Sequence, residues 1–128
     1  MTIAQVSKKY SLTQDTLRYY ERIGMIPPVH RTPSGLRDYT EQDCGWVELA
    51  KCMRSAGLPV EAMIEYVRLY QLGDETIPAR LQLLLEQRER LLKQRAEIDN
   101  TLERLNYKIS KYELAAKTGK LSWDEPEQ

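Results

Sequence analysis

IAQVSKKYSLTQDTLRYYERIGMI, residues 3–26, reads as two short helices joined by a tight turn. Ile3, Val6 and Tyr10 recur at spacings of three and four, so one side of the first helix can sit on a core. Ser11-Leu12 interrupts that pattern. Thr13 then offers a hydroxyl to the free N–H groups of a second helix, Asp15 suits the positive end of its dipole, and Gly24 supplies a left-handed stop. Leu17 and Tyr20 share the inward side of this second helix, which turns Gln14, Asp15, Arg18 and Arg22 outward and leaves Tyr19 on the flank. Guanidinium forks, an amide and a phenol on one exposed face can reach base edges and phosphates in a DNA major groove, which admits one α-helix.

Working outward, Pro27-Pro28 ends the helical region because neither residue donates a backbone hydrogen bond. Val29-His30-Arg31 and Leu36-Arg37-Asp38-Tyr39 are expected as two short strands around the turn Thr32-Pro33-Ser34-Gly35, a small β-hairpin that must lean on the helices. Thr40 and Asp43 form a capping box for a third helix, stopped at Gly57. Its expected core stripe is Trp46, Leu49, Ala50 and Met53, with Cys52 at the edge and Cys44 on the polar side as the more exposed thiol. A fourth helix from Val60 to Leu72 is apolar over more than half its circumference, which implies contact with both this head and a second chain.

From Thr76 the pattern changes. Ile77, Leu84, Leu91, Ile98, Leu105 and Tyr112 recur at every seventh position, interleaved with Leu81, Arg88, Arg95, Leu102 and Ile109. One register therefore persists for about 54 Å at 1.5 Å per residue. Alone, such a helix leaves an apolar seam in water, so a dimer is expected, with Leu81, Leu84, Leu91, Ile98, Leu102, Leu105 and Ile109 at its interface. Arg88 and Arg95 in the seam are expected to set alignment against acids of the partner.

The charge balance is zero, with 19 basic and 19 acidic residues, which argues against indiscriminate nucleic-acid binding. Its distribution is uneven: residues 1–40 hold six basic and three acidic residues, a net of +3, whereas residues 41–75 hold three and seven, a net of −4. Positive charge is concentrated with the candidate reader. No stretch has the apolar length of a membrane span, the N-terminus lacks a signal-peptide core, and two cysteines are too few for a disulfide framework, so a cytoplasmic protein without membrane partners is expected. An enzyme is not expected: His30, the single histidine, has no evident nucleophile or carboxylate partner, and no phosphate loop or metal spacing is present. No cofactor is implied. Cys44 and Cys52 lie about 12 Å apart along one helix, too far for one metal ion.

The order of these parts, with Thr16-Leu17-Arg18-Tyr19-Tyr20-Glu21, Gly24-Met25-Ile26, Gly35-Leu36-Arg37-Asp38-Tyr39 and Arg54-Ser55-Ala56-Gly57-Leu58, resembles the MerR family of bacterial transcription regulators. The resemblance implies a mainly α fold. Residues 1–75 would be a winged helix-turn-helix head (helix-turn-helix about 3–23, wing about 27–39), residues 76–113 a dimerising coiled-coil helix and residues 114–128 a flexible tail. It also implies DNA contacts from Arg18 and Tyr19 on the second helix and from Arg31, Arg37 and Tyr39 in the wing. With the outward face of that helix, the candidate DNA-binding set is Gln14, Thr16, Arg18, Tyr19, Arg22, Arg31, Arg37 and Tyr39.

Members of that family bind palindromic promoter DNA as homodimers through an antiparallel coiled coil. They bend and untwist an overlong spacer until RNA polymerase engages it. Metal-sensing relatives carry cysteines on and after the long helix, and nothing beyond Cys52 is a cysteine here. The segment Lys51-Cys52-Met53-Arg54 is instead similar to the aldehyde- and thiol-stress-responsive branch, of the AdhR and NmlR kind, which implies Cys52 as an electrophile sensor; a small buried hydrophobe is the other reading of that residue. The rival from another class is a dimeric coiled-coil adaptor with a protein-binding helical head, which would not need cations at Arg18 and Arg22.

Overall fold

The computed structural model describes residues 1–123 and contains five α-helices among them: α1 (Ile3–Tyr10), α2 (Gln14–Ile23), α3 (Glu41–Ser55), α4 (Val60–Leu72) and α5 (Ile77–Thr118). The chain forms two compact units, Met1–Arg88 and a second that begins at Glu89.

Each helix of the head starts and stops for a local reason. Thr2 caps α1 in a full capping box with Gln5, and Ser11 ends it in a left-handed conformation at φ 55°. The Ser7 hydroxyl donates to Leu12 O across the same turn. Thr13 Oγ1 accepts the Thr16 N–H at 3.0 Å to open α2, and Gly24 closes it at φ 86°. Thr40 and Asp43 make the expected capping box of α3. A side-chain cap of this type stabilises a helix by about 1 kcal/mol. Between α3 and α4 the segment Arg54 to Leu58 builds the corner. Arg54 donates to Leu58 O at 2.9 Å, Gly57 turns at φ 79°, and Leu58 is buried. Pro78 lies in the first turn of α5, where its missing N–H has no intrahelical partner to lose.

The head core gathers Val6 from α1, Leu17 and Tyr20 from α2, Met25, Ile26 and Val29 from the following segment, Tyr39, Val47 and Ala50, and Met63 and Val67 from α4. Burial of each large apolar side chain is worth roughly 1.5–3 kcal/mol, which fixes how α2 is oriented. The core side of α3 differs from expectation. Asp43, Cys44, Val47 and Ala50 are its buried residues, whereas Trp46, Leu49 and Met53 are half-buried. Small side chains take the centre, and Trp46 turns sideways to stack on α4, with ring centroids 5.7 Å from Tyr66 and 5.0 Å from Tyr70. The thiols consequently exchange places: Cys44 is buried and Cys52 is the exposed one.

The hairpin is reduced to a single antiparallel bridge, Arg31 to Arg37, rather than two strands. Its rungs are Asp38 N–H to His30 O at 2.7 Å and Thr32 N–H to Leu36 O at 2.7 Å, closed by a turn with Gly35 at φ 90°. The ladder stops because its next donors are used elsewhere. Val29 N–H goes to Glu21 Oε2 at 2.9 Å, and Tyr39 N–H goes to Met1 O at 2.8 Å.

Along α5, Leu81, Leu84, Leu91, Ile98, Leu102, Leu105 and Ile109 are all between 37% and 57% exposed, an apolar seam with no cover from its own chain among the described residues. The helix does not give way to a loose tail at residue 114 but continues to Thr118. Trp123 then stacks near Tyr107 and Tyr112, at 6.1 and 6.2 Å between centroids. The rest of the expected flexible tail, residues 124–128, lies outside the described residues.

Candidate nucleic-acid interface

The outward face of α2 is organised by contacts among its own side chains. Arg18 donates to Asp15 Oδ1 at 3.0 Å and to Gln14 Oε1 at 3.3 Å, while its side chain stays 44% exposed. One turn on, the Arg22 guanidinium lies 5.4 Å from the centroid of the exposed Tyr19 ring, a cation–π contact that orients both. Thr16 Oγ1 accepts from the Thr13 hydroxyl at 2.8 Å, so this threonine is partly occupied by the helix cap.

The wing faces the same helix across a cleft of about 220 Å³ lined by Arg18, Arg31 and Arg37, together with Leu36, Ile3 and Thr2. Leu36 is 68% exposed at its rim. Arg31 donates to Gly35 O at 3.0 Å, which fastens it to the wing turn. Arg37 Nε donates to Glu21 Oε1 at 2.8 Å, and Arg31 stands 3.8 Å from the same oxygen. Three cations from two elements thus border one cleft whose lining is mostly apolar, and Arg18 and Arg31, each 44% exposed, are the ones most open to an oxygen-rich anion such as a backbone phosphate.

Tyr39 departs from expectation. It is only 2% exposed, and its hydroxyl is enclosed without a hydrogen-bond partner among the described residues, so it belongs to the floor of the head rather than to a contact surface. Burial pushes its phenol up, with Arg37 pulling the other way. His30 also differs, because it does have a carboxylate neighbour: Nδ1 lies 2.9 Å from Asp43 Oδ2. That oxygen also accepts the Thr40 N–H at 3.0 Å and the His30 N–H at 3.3 Å. Burial opposes ionisation of Asp43, but these bonds from Thr40 and His30 outweigh it and hold the carboxyl below the usual range. The pair ties the wing to the start of α3.

Residues that the sequence did not single out are central here. Glu21 bridges α2 to the wing, and its only signal was an acid half-turned to the core on a helix of mixed charge, too weak to read without the partner 16 residues away. No group of three or more potential metal ligands occurs among the described residues, and no helix among them is long and apolar enough to cross a membrane.

The profile described as MerR HTH family regulatory protein matches residues 1–69, more than half of the chain and all of the surface just described. The chain belongs to the MerR family. Among its relatives, the HTH-type transcriptional regulator AdhR of Bacillus subtilis is 56% identical over 92 residues, covering 72% of this chain and 66% of that one, just under two thirds of its length. The fold is shared over nearly the whole chain with a crystal structure of a MerR family transcriptional regulator from Listeria monocytogenes, at 39% identity and TM-score 0.89, covering 93% of this chain and 90% of the other. The structure of HiNmlR, a MerR family regulator lacking the sensor domain and bound to promoter DNA, matches at 31% identity and TM-score 0.84, covering 94% and 95%. MerR membership supports a DNA-binding transcriptional regulator over a coiled-coil adaptor and accounts for the long C-terminal helix.

Proposed function

We propose that this chain acts as a homodimer that grips two half-sites of a promoter with its MerR heads and deforms the duplex between them. Residues 1–75 serve as the DNA-binding head and 76–113 as the antiparallel dimerisation helix. Gln14, Thr16, Arg18, Tyr19 and Arg22 read the major groove, while Arg31 and Arg37 hold the flanking backbone. The observation that carries this reading is that Arg18 on the outward face of α2 and Arg31 of the wing stay half-exposed beside one cleft. Bending and untwisting cost a few kcal/mol, offset by the phosphate contacts the deformation brings into reach. RNA polymerase then engages the reshaped promoter in the cytoplasm; the reading requires no catalytic step and no cofactor.

Cys52 is the proposed site of response to electrophiles, on the likeness to AdhR. Its thiol is exposed, whereas Cys44 is buried. Cys52 lies at the end of α3, where Cys52 O accepts the Ala56 N–H at 3.1 Å just before the corner into α4.

The test is Arg18→Ala. It should weaken binding to a promoter fragment by about 1–3 kcal/mol while the dimer persists. Unchanged affinity would remove α2 as the reader.

A further inference from the structure

Among the described residues, Glu21 is the one acid in contact with the wing arginines, and its side chain is 12% exposed. One oxygen accepts the Val29 N–H at 2.9 Å, the first backbone donor of the wing. The other accepts Arg37 Nε at 2.8 Å and stands 3.8 Å from Arg31. An acid beside a surface meant for phosphates is electrostatically unfavourable to DNA affinity. Its bonds explain its use. Engaging Arg37 through Nε orients the guanidinium plane and leaves its end-on pair of Nη groups to match two oxygens of a phosphate.

We propose that Glu21 is a positioning residue that fixes the wing and the Arg37 fork relative to α2, and thereby gives DNA discrimination at the expense of raw affinity. This rests on the reading of α2 and the wing as the DNA surface. Base contacts from α2 are productive only if the backbone contacts hold the helix in one register, because phosphate contacts set position and base contacts set sequence. A wing released from Glu21 still attracts DNA through Arg31 and Arg37, but no longer fixes that register.

The experiment compares Glu21→Gln with Arg18→Ala, using a duplex selected by the parent protein from a random pool and a scrambled duplex of the same length. For Glu21→Gln, preference for the selected duplex should fall at least about tenfold, while affinity for the scrambled duplex holds or rises. Its salt dependence should steepen by about one phosphate contact, since one neutralising acid is gone. In an Arg37→Ala background the same substitution should change the preference little, because the group it positions is absent. Glu21→Asp keeps the charge but is too short to span Val29 N–H and Arg37 Nε together, so it should also lose preference while melting close to the parent.

Equal losses on both duplexes accompanied by a lower melting temperature would reduce Glu21 to a structural residue and overturn the proposal. So would full preference retained by Glu21→Gln or Glu21→Asp while Arg18→Ala still weakens binding. If Arg18→Ala and Glu21→Gln both leave binding unchanged, the DNA-facing reading of α2 itself fails.

Discussion

Tyr39→Phe separates two roles for one residue, a backbone contact and a core ring. The ring is 2% exposed and its hydroxyl has no hydrogen-bond partner among the described residues. An unpaired hydroxyl taken from water costs about 1–3 kcal/mol. Removing it leaves a void on the order of 10 Å³, which at about 24 cal/mol per Å³ returns only about 0.2 kcal/mol against the variant. The variant should therefore be more stable by about 1–3 kcal/mol, and its melting temperature should rise by roughly 4 °C or more for a head of this size. Thermal melts must be run at one protomer concentration, because dimerisation also shifts the midpoint. Affinity for promoter DNA should be unchanged, since the oxygen is enclosed. A melting temperature that falls, or DNA binding weakened by a factor of ten, would show that the hydroxyl has a partner and that the enclosed-floor account is wrong.

Leu91→Arg places a further cation in the α5 seam beside Arg88 and Arg95; it should dissociate the dimer and weaken DNA binding, and sedimentation equilibrium showing an intact dimer would refute the seam. Cys52→Ser should retain DNA affinity but abolish induction by formaldehyde or methylglyoxal in a reporter strain, and normal induction would end the sensor reading. Asp43→Asn should destabilise the head by about 1–3 kcal/mol near neutral pH, because a buried charged acceptor of several bonds is lost. Since the folded carboxyl titrates below its ordinary value of 3.8, its stabilisation is present above that value and disappears as pH falls through the lowered one. Melts of parent and variant should therefore converge in acid, and a constant difference across that range would contradict the sign.

Legibility of the fold followed the range of the interactions. Helix ends were readable because caps are local: Thr13, Gly24, Thr40 and Gly57 act within a few residues of themselves. The apolar face of α2 was readable for the same reason, since Leu17 and Tyr20 are its buried residues and stand three apart. The wing was overestimated because the fate of Val29 N–H and Tyr39 N–H is decided outside the hairpin, by Glu21 on α2 and by Met1 at the chain start. The inner face of α3 was misplaced because a wheel weights Trp46 by its size, whereas packing placed Val47 and Ala50 at the centre and stacked Trp46 on α4. That rotation also exchanged the exposures of Cys44 and Cys52. Arg18, Arg31 and Arg37 were picked out one by one as candidates. Their shared cleft was not, because it requires α2 and the wing to be in place.

A net charge of zero looks unfavourable for a DNA-binding protein, and the pairing of the interface resolves the difficulty. Arg18 is held by Asp15 and Arg37 by Glu21, so each of these two cations is matched by an acid on α2. Long-range attraction is weak under those conditions, and binding to arbitrary DNA is correspondingly poor. A duplex that fits the cleft can take up the Arg18 bond that Asp15 holds while Glu21 keeps Arg37 in place, which a misaligned one cannot. Discrimination then arises from the geometry of exchange rather than from field strength. A consequence follows for salt dependence: the selected duplex should show a shallower slope than six unpaired cations in residues 1–40 would give, because part of the exchange is with protein acids and not with counterions.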